Sequence, residues 1–178
     1  MLGSNAAPAI RQLSRLALQQ QHWGASRRAV RALGYVGGDS IPVLLDLSTN
    51  YSCVSRPQVI IVLAECIQAG DQTPNPMVFR TLVRCVNDRD IAVSRQAAKA
   101  VGQLKIDPAL AFPALTNGLC DPNLAYACAH ALGDYGQVAQ PSLPALLELL
   151  NTTDSELRAE ITNAVLRIEP AALNVHAR

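Results

Sequence analysis

The chain of 178 residues is long enough for one buried core or for a short array of stacked units. Its hydrophobic content of 49% excludes disorder, and an aromatic content of only 4% is typical of aliphatic helices packed on helices. The net charge of +1 excludes a global field that attracts nucleic acid or anionic lipid, and every apolar stretch is far shorter than the roughly 20 residues that span a membrane.

Recurring prolines predict the first helix of each of five repeats. Proline suits the first turn of a helix, where a backbone N–H has no acceptor within the helix. A fixed period of this kind is typical of repeat architectures. The prolines that precede apolar helical patterns are Pro8, Pro42, Pro76, Pro113 and Pro144.

A second periodic pattern predicts the second helix of each repeat. It ends in Ala-Leu-Gly or Ala-Val-Gly in three copies, and two degenerate copies fit the same register. We call the last residue of each copy its anchor, and the anchors are Gly34, Ala64, Gly102, Gly133 and Leu166. Twelve residues before four of them stand predicted helix N-caps, which are Ser52, Asp90, Asp121 and Asp154. The predicted repeats are 8–37, 41–69, 75–105, 109–136 and 141–168, with an inserted loop at 70–76.

Glycine at three anchors indicates a local structural requirement. A glycine inside a helix costs roughly 1 kcal/mol relative to alanine, so its recurrence implies a compensating gain. Close approach between neighbouring helices supplies such a gain. Termination of the helix near Gly34 and Gly133 is the alternative.

The repeated helix ending in Ala-Leu-Gly, together with Pro-Ala-Leu-Leu at 144–147, resembles HEAT repeats. The likeness covers about residues 8–168 and is to the short bacterial HEAT-like repeats also found in phycobilin lyases. It implies an all-α fold, a right-handed α-solenoid of about five stacked two-helix repeats, forming a single domain over 1–178. In such a solenoid the second helices line a concave face. Neither end has a polar capping face (Leu2 and Gly3 resemble the tail of a preceding repeat), so an excerpt of a longer solenoid is also expected.

Catalytic and metal-binding motifs of the common kinds are absent from the sequence, and its three histidines form no local ligand pair. Five scattered cysteines argue against a disulfide framework or zinc site and favour a reducing, cytoplasmic location. Cys66 and Cys128 fall at apolar register positions and are predicted core, whereas Cys53 and Cys120 are expected to be partly exposed. We therefore expect no enzyme activity, no cofactor and no metal.

The outward positions of the second helices form the predicted partner-binding surface. They lie six and three residues before each anchor and one residue after it. Solvated helix faces are the alternative interpretation of each single residue. Arg27 and Arg95 are predicted to brace neighbouring repeats. Trp23 is predicted to pack over a seam between repeats, and a contact with a partner is its alternative role. The predicted partner-binding residues, which we call the ridge, are Arg28, Arg31, Tyr35, Gln58, Gln96, Lys99, Gln103, His130, Asp134, Glu160 and Asn163.

These features favour a non-enzymatic scaffold that binds a protein or peptide on its concave face. The resemblance implies an alternative, a phycobilin lyase-like or other chromophore-handling subunit. A HEAT-like DNA glycosylase is disfavoured, because its groove is basic and aromatic, whereas here the net charge is +1 and Tyr35 is the one aromatic residue on the ridge. No membrane, metal or nucleic-acid partner is expected.

Overall fold

A computed structural model describes residues 6–19, 21–69 and 75–173, and the regular elements within these ranges are all helices. The predicted all-α fold is therefore confirmed. Parts of the predicted 70–76 loop, as well as Leu2, Gly3 and His176, lie outside the described residues. The α-helices are α1 (Ala6–Ala17), α2 (Trp23–Val36), α3 (Ile41–Thr49), α4 (Arg56–Gln68), α5 (Pro76–Cys85), α6 (Ile91–Leu104), α7 (Pro108–Gly118), α8 (Ala125–Tyr135), α9 (Leu143–Glu148) and α10 (Ser155–Ile168). Short 3-10 turns at Gly38–Ser40, Gly136–Ser142 and Leu149–Asn151 flank α3 and α9.

The chain forms two compact units, Met1–Thr81 and Leu82–Arg178. In the first unit, α2 packs against α1 and α4, and α4 also packs against α3. Leu33, Leu44 and Leu63 are fully buried among these helices. A hydrogen bond between the buried hydroxyls of Ser26 and Ser55, 2.9 Å apart, links α2 to the residue before α4.

In the second unit, α8 packs against α6, α7 and α10. Its core contains small and aliphatic side chains such as Ala97 and Leu132, both fully buried. The buried Tyr135 hydroxyl donates to the carbonyl oxygens of Val101 and Ile106, at 3.1 and 2.6 Å. This pair of bonds ties the end of α8 to the end of α6.

The three anchor glycines lie where neighbouring second helices approach closely. A Cβ atom on Gly102 would lie 2.7 Å from the Cα of Ala131, and one on Gly133 would lie 3.1 Å from the Cα of Ala164. A Cβ atom on Gly34 would lie 2.6 Å from Val62 Cγ1. In each case the contacted residue stands two positions before the next anchor. Close approach is thus confirmed. The alternative, termination near Gly34 and Gly133, also holds, because α2 and α8 end two residues later, at Val36 and Tyr135.

The predicted prolines lie in the first turns of α1, α3, α5 and α9, but Pro113 does not begin α7. That helix begins at Pro108, after an N-cap at Asp107 whose carboxylate accepts from Ala109 N. Pro113 lies inside α7. The even spacing of prolines was a weaker indicator of the helix start than an Asp-Pro pair, because Asp-Pro supplies both a cap and a preset φ angle.

The predicted caps Asp90 and Asp154 are confirmed, since each carboxylate accepts an amide N–H from the first turn of α6 or α10. Asp121 instead closes a turn: its carboxylate accepts from Asn123 N, and α8 begins only at Ala125. Ser52 caps no helix, because α4 begins at Arg56. Local turns therefore displace two of the four predicted caps.

Candidate binding surface

The ridge residues of the second unit lie on α6, α8 and α10, and those of the first unit on α2 and α4. Their exposure divides them into three groups. Gln58 and Glu160 are buried, each with 9% of its surface exposed, and Gln96 and Asp134 are half-buried. The exposed ridge residues are Arg28, Arg31, Tyr35, Lys99, Gln103, His130 and Asn163.

An open groove of about 600 Å³ runs between α6, α8 and α10 in the second unit. Three ridge residues line it, namely Gln96, Lys99 and His130. The remaining lining residues were not among those predicted to bind a partner, and they are Arg95, Pro122, Asn123, Tyr126, Ala127, Asp154, Glu156 and Leu157. Tyr126 stands four residues before His130, so helical spacing places the two on one face of α8.

A hydrogen-bonded pair between α8 and α10 lies at this groove. His130 Nδ1 lies 2.8 Å from Glu160 Oε1, and the His130 side chain is 47% exposed while that of Glu160 is 11% exposed. The nearby Glu160 carboxylate, chiefly through its charge, raises the pKa of the Tyr126 phenol. The phenol is protonated at neutral pH with or without this shift, and a side-chain hydrogen bond with Glu160 also contributes to the shift. The carboxylate orients the imidazole through Nδ1, as carboxylates do in many histidine sites.

The two sides of the groove carry opposite charges. Arg95 and Lys99 lie on α6, whereas Asp154 and Glu156 lie at the start of α10. Arg95 Nε donates to the carbonyl oxygen of Asn123 at 2.8 Å, which confirms the predicted contact of Arg95 with a loop carbonyl. The Asp154 carboxylate is occupied in capping α10. Lys99 and Glu156 are exposed, so they are the charges available to a ligand.

In the first unit, Arg27 Nε donates to Oε1 of the buried Gln58 at 2.9 Å, so Gln58 contacts a neighbouring helix. The prediction that Trp23 packs over a seam is wrong, because 58% of its surface is exposed. It contacts the Arg27 guanidinium, whose central carbon lies 5.5 Å from the ring centroid. Aromatic rings and cations thus share the outer face of α2.

The cysteines differ in burial, and burial raises the pKa of the Cys66 and Cys128 thiols. Cys128 is fully buried, and desolvation raises the pKa of its thiol to about 12, as its predicted core role requires. Cys66 is half-buried, and burial raises the pKa of its thiol as well. Cys53, expected to be partly exposed, is only 2% exposed because it packs near Ala17, whereas Cys120 is exposed.

The described part of the chain lacks two other kinds of feature. Residues 6–19, 21–69 and 75–173 contain no group of three or more His, Cys, Asp or Glu side chains that could hold a metal ion. Among the same residues, no helix is both long enough and apolar enough to cross a membrane.

The chain is similar to several solved structures over most of its length. A chain in the complex of CpcE and CpcF of phycocyanin lyase from Nostoc sp. PCC7120 aligns with a TM-score of 0.67 and 24% identity, covering 89% of this chain and 98% of that one. An engineered protein aligns with a TM-score of 0.60 and 22% identity, covering 89% and 78%. A second engineered protein aligns with a TM-score of 0.54 and 21% identity, covering 98% and 48%. No family model and no curated protein sequence matches the chain. At these identities the likeness shows the helical fold alone.

Proposed function

We propose that the chain is a HEAT-like repeat module that binds a protein partner in the groove between α6, α8 and α10, without catalysing a reaction. The predicted division into five repeats, the cytoplasmic location and the role of the ridge are parts of this proposal. The observation that carries it is the groove itself, which combines fixed polar groups with an exposed aromatic ring.

The groove has the chemical character of a site for a protein segment. Tyr126 is 50% exposed and lines the groove, as does Leu157, and tyrosine is enriched among residues that dominate binding energy at protein interfaces. Lys99 and Glu156 add exposed charges of opposite sign, which suit a partner segment of mixed charge.

The groove is also preorganised before a partner arrives. The bonds His130–Glu160 and Arg95–Asn123 hold two of its polar side chains across neighbouring repeats. Side chains already held in place lose less conformational freedom on binding, which favours affinity.

A capture experiment with matched variants tests the proposal. Wild-type chain and a Lys99→Ala/Tyr126→Ala variant are immobilised and exposed to an extract of the native source. The control variant is Arg80→Ala/Tyr51→Ala, which removes the same kinds of exposed side chain outside the groove. We expect proteins captured by wild type and by the control to be lost from the groove variant, provided that circular dichroism shows all three folded. Equal capture by all three would contradict the proposal.

A second candidate function, a chromophore-handling subunit, is supported by the likeness to the CpcE and CpcF complex of phycocyanin lyase. Its test is incubation of the chain with a bilin and an apo-phycobiliprotein, alone and together with a partner subunit of the lyase type. A new visible absorption band that stays with the phycobiliprotein after denaturation would favour this candidate over the scaffold. A band absent from every mixture would reject it.

A further inference from the structure

Four side chains at four-residue intervals follow one another along α2. We call Trp23, Arg27, Arg31 and Tyr35 the α2 stripe. Residues four apart lie on the same face of a helix and drift by only about 40° per step. Both ends of the stripe are exposed aromatics, since Trp23 is 58% and Tyr35 is 81% exposed. At about 1.5 Å per residue, the stripe is about 18 Å long.

The stripe carries positive charge that the described structure leaves unneutralised. α2 contains three arginines and no acidic residue. Arg28, which flanks the stripe, and Arg31 are both exposed and form no ion pair with any described residue. The wider sequence points the same way, because residues 1–81 contain seven arginines against four acidic residues, a net charge of +3.

Contacts along the stripe hold its side chains in place. The Arg27 guanidinium lies over the Trp23 ring, and its Nε donates to the buried Gln58 on α4. Arg31 Nη2 lies 3.4 Å from the Tyr35 hydroxyl. Arg27 is thus anchored from a second helix, while the guanidinium groups of Arg28 and Arg31 remain available for two-point binding of carboxylates.

We propose that the α2 stripe binds an extended acidic segment of a protein partner, about six residues long. An extended chain rises about 3.3 Å per residue, so five or six residues span the stripe. Carboxylates of the segment pair with Arg28 and Arg31, and its apolar side chains pack on Trp23 and Tyr35. This inference rests on the proposed protein-binding function, which it extends from the groove to the first unit.

Charge favours a carboxylate segment over a nucleic acid. Nucleic-acid-binding domains carry a broad basic excess, commonly with a pI above about 9. Here the sequence pI is about 7.7, so the three arginines of α2 are a local cluster in a nearly neutral chain. One face of the Trp23 ring is already covered by Arg27, which leaves less ring surface for stacking with bases.

Trp23 provides the measurement, because it is the only tryptophan in the chain. The probes are three: hexaglutamate with blocked ends, hexalysine with blocked ends, and hexathymidylate. At low salt we expect hexaglutamate to change the Trp23 fluorescence saturably, and hexalysine to leave it unchanged. Arg28→Ala/Arg31→Ala is expected to weaken hexaglutamate about tenfold, which corresponds to the loss of about 1.4 kcal/mol.

The matched control is Arg80→Ala/Arg84→Ala, which removes two exposed arginines outside α2. Retained affinity in this control supports the stripe, whereas an equal loss would show that overall charge alone attracts the peptide and would overturn the proposal. Tighter binding of hexathymidylate than of hexaglutamate would overturn it in favour of nucleic acid. If the wild-type chain does not bind hexaglutamate but its capture of partners at the groove is intact, the stripe is rejected and the proposed function stands.

Discussion

A residue with a positive φ angle follows each of α2, α6 and α8 directly, three positions after the anchor of that helix. Gly37 and Gly136 have φ angles of 83° and 59°, and Lys105 has a φ angle of 47°. The Lys105 N–H donates to the carbonyl oxygen of Gly102. The N–H of the buried Ile106 donates to the carbonyl oxygen of Val101, as at many helix ends. Lysine in this left-handed conformation costs roughly 1–2 kcal/mol, a cost that glycine avoids.

Replacing Lys105 tests this strain. Lys105→Gly is expected to raise the free energy of unfolding by about 1 kcal/mol, because glycine adopts positive φ without a Cβ clash. Lys105→Ala keeps the Cβ and serves as the control, with an expected change within about 0.5 kcal/mol. Urea denaturation followed by circular dichroism measures both, and a glycine variant no more stable than the alanine variant would contradict the prediction.

Two glycines of opposite environment separate packing from helix propensity. Gly102→Ala is expected to lower the free energy of unfolding by about 1–3 kcal/mol, because the new Cβ meets the backbone of Ala131 at 2.7 Å. A Cβ atom added at Gly24 would meet nothing within 4 Å, so Gly24→Ala is expected to raise the free energy of unfolding by up to about 1 kcal/mol through the higher helix propensity of alanine. The same urea measurement decides the signs, and a neutral Gly102 variant would show that α6 and α8 can separate at little cost.

The buried thiol of Cys128 makes the free energy of unfolding depend on pH in the alkaline range. Its thiol pKa is raised from 9.0 to about 12 by burial, so the folded state keeps a proton that the unfolded state loses above pH 9. Stability from this group is therefore full below pH 9 and falls by about 1.4 kcal/mol per pH unit up to about pH 12. Cys128→Ala, the residue present at the same register in α2 and α6, is expected to flatten this fall. Parallel pH profiles of the free energy of unfolding for the two proteins would contradict the prediction.

Aspartates begin three of the helices in the same way. Asp90, Asp107 and Asp154 each accept an amide N–H two residues ahead through a carboxylate oxygen, at 2.9 to 3.0 Å. Asp154 also accepts from Leu157 N at 3.1 Å. These bonds satisfy amides that otherwise have no partner at a helix start, and the negative charge complements the helix dipole there.

Removing the cap of α10 tests its contribution. Asp154→Ala is expected to lower the free energy of unfolding by about 1 kcal/mol, whereas Asp154→Asn keeps an acceptor and is expected to lower it by less. Asp46→Ala on the exposed face of α3 is the matched control and is expected to cost nothing, because the Asp46 side chain caps no helix. Thermal denaturation ranks the variants, and equal melting temperatures for the alanine and asparagine variants would contradict a capping role.

The near-neutral net charge conceals two units of opposite sign. Residues 1–81 carry a net charge of +3, and residues 82–178 carry eight basic and ten acidic residues, a net charge of −2. The Arg167 side chain, which pairs with Asp134, is 46% exposed, and the His130 side chain, which hydrogen-bonds to Glu160, is 47% exposed. Exposed pairs contribute little to stability, so apolar burial dominates the folded state.

Salt should therefore affect binding more than folding. Raising sodium chloride from about 0.05 M to about 0.5 M is expected to change the free energy of unfolding by less than about 1 kcal/mol, because surface pairs are weak and screened. The same change is expected to weaken hexaglutamate binding to the α2 stripe severalfold. Denaturation and fluorescence titrations at both salt concentrations measure the two effects, and salt-independent peptide binding would contradict an electrostatic role for Arg28 and Arg31.

The approximate positions of the helices could be predicted from the sequence, because the features that determine them are local. Proline in a first turn, an aspartate cap and an apolar stripe each depend on residues within a few positions of one another. The anchor glycines also allowed a prediction about packing, since a glycine that recurs in one register implies a close neighbouring helix. Pro113 and Ser52 mark its limit, because a nearby Asp-Pro pair or turn moved the helix start by several residues.

The binding surface depended on distances between helices that are far apart in the chain. Glu160 and Gln58 occupy outward register positions, yet both are buried, and each bonds to a side chain about thirty residues earlier, His130 or Arg27. Tyr126 lies outside the rows that the register selected, although its four-residue spacing from His130 was a usable signal. Periodicity determines which side of a helix faces outward. Whether a side chain on that side is buried, hydrogen-bonded or exposed depends on how the next helix packs against it, because only tertiary contacts bring the two helices together.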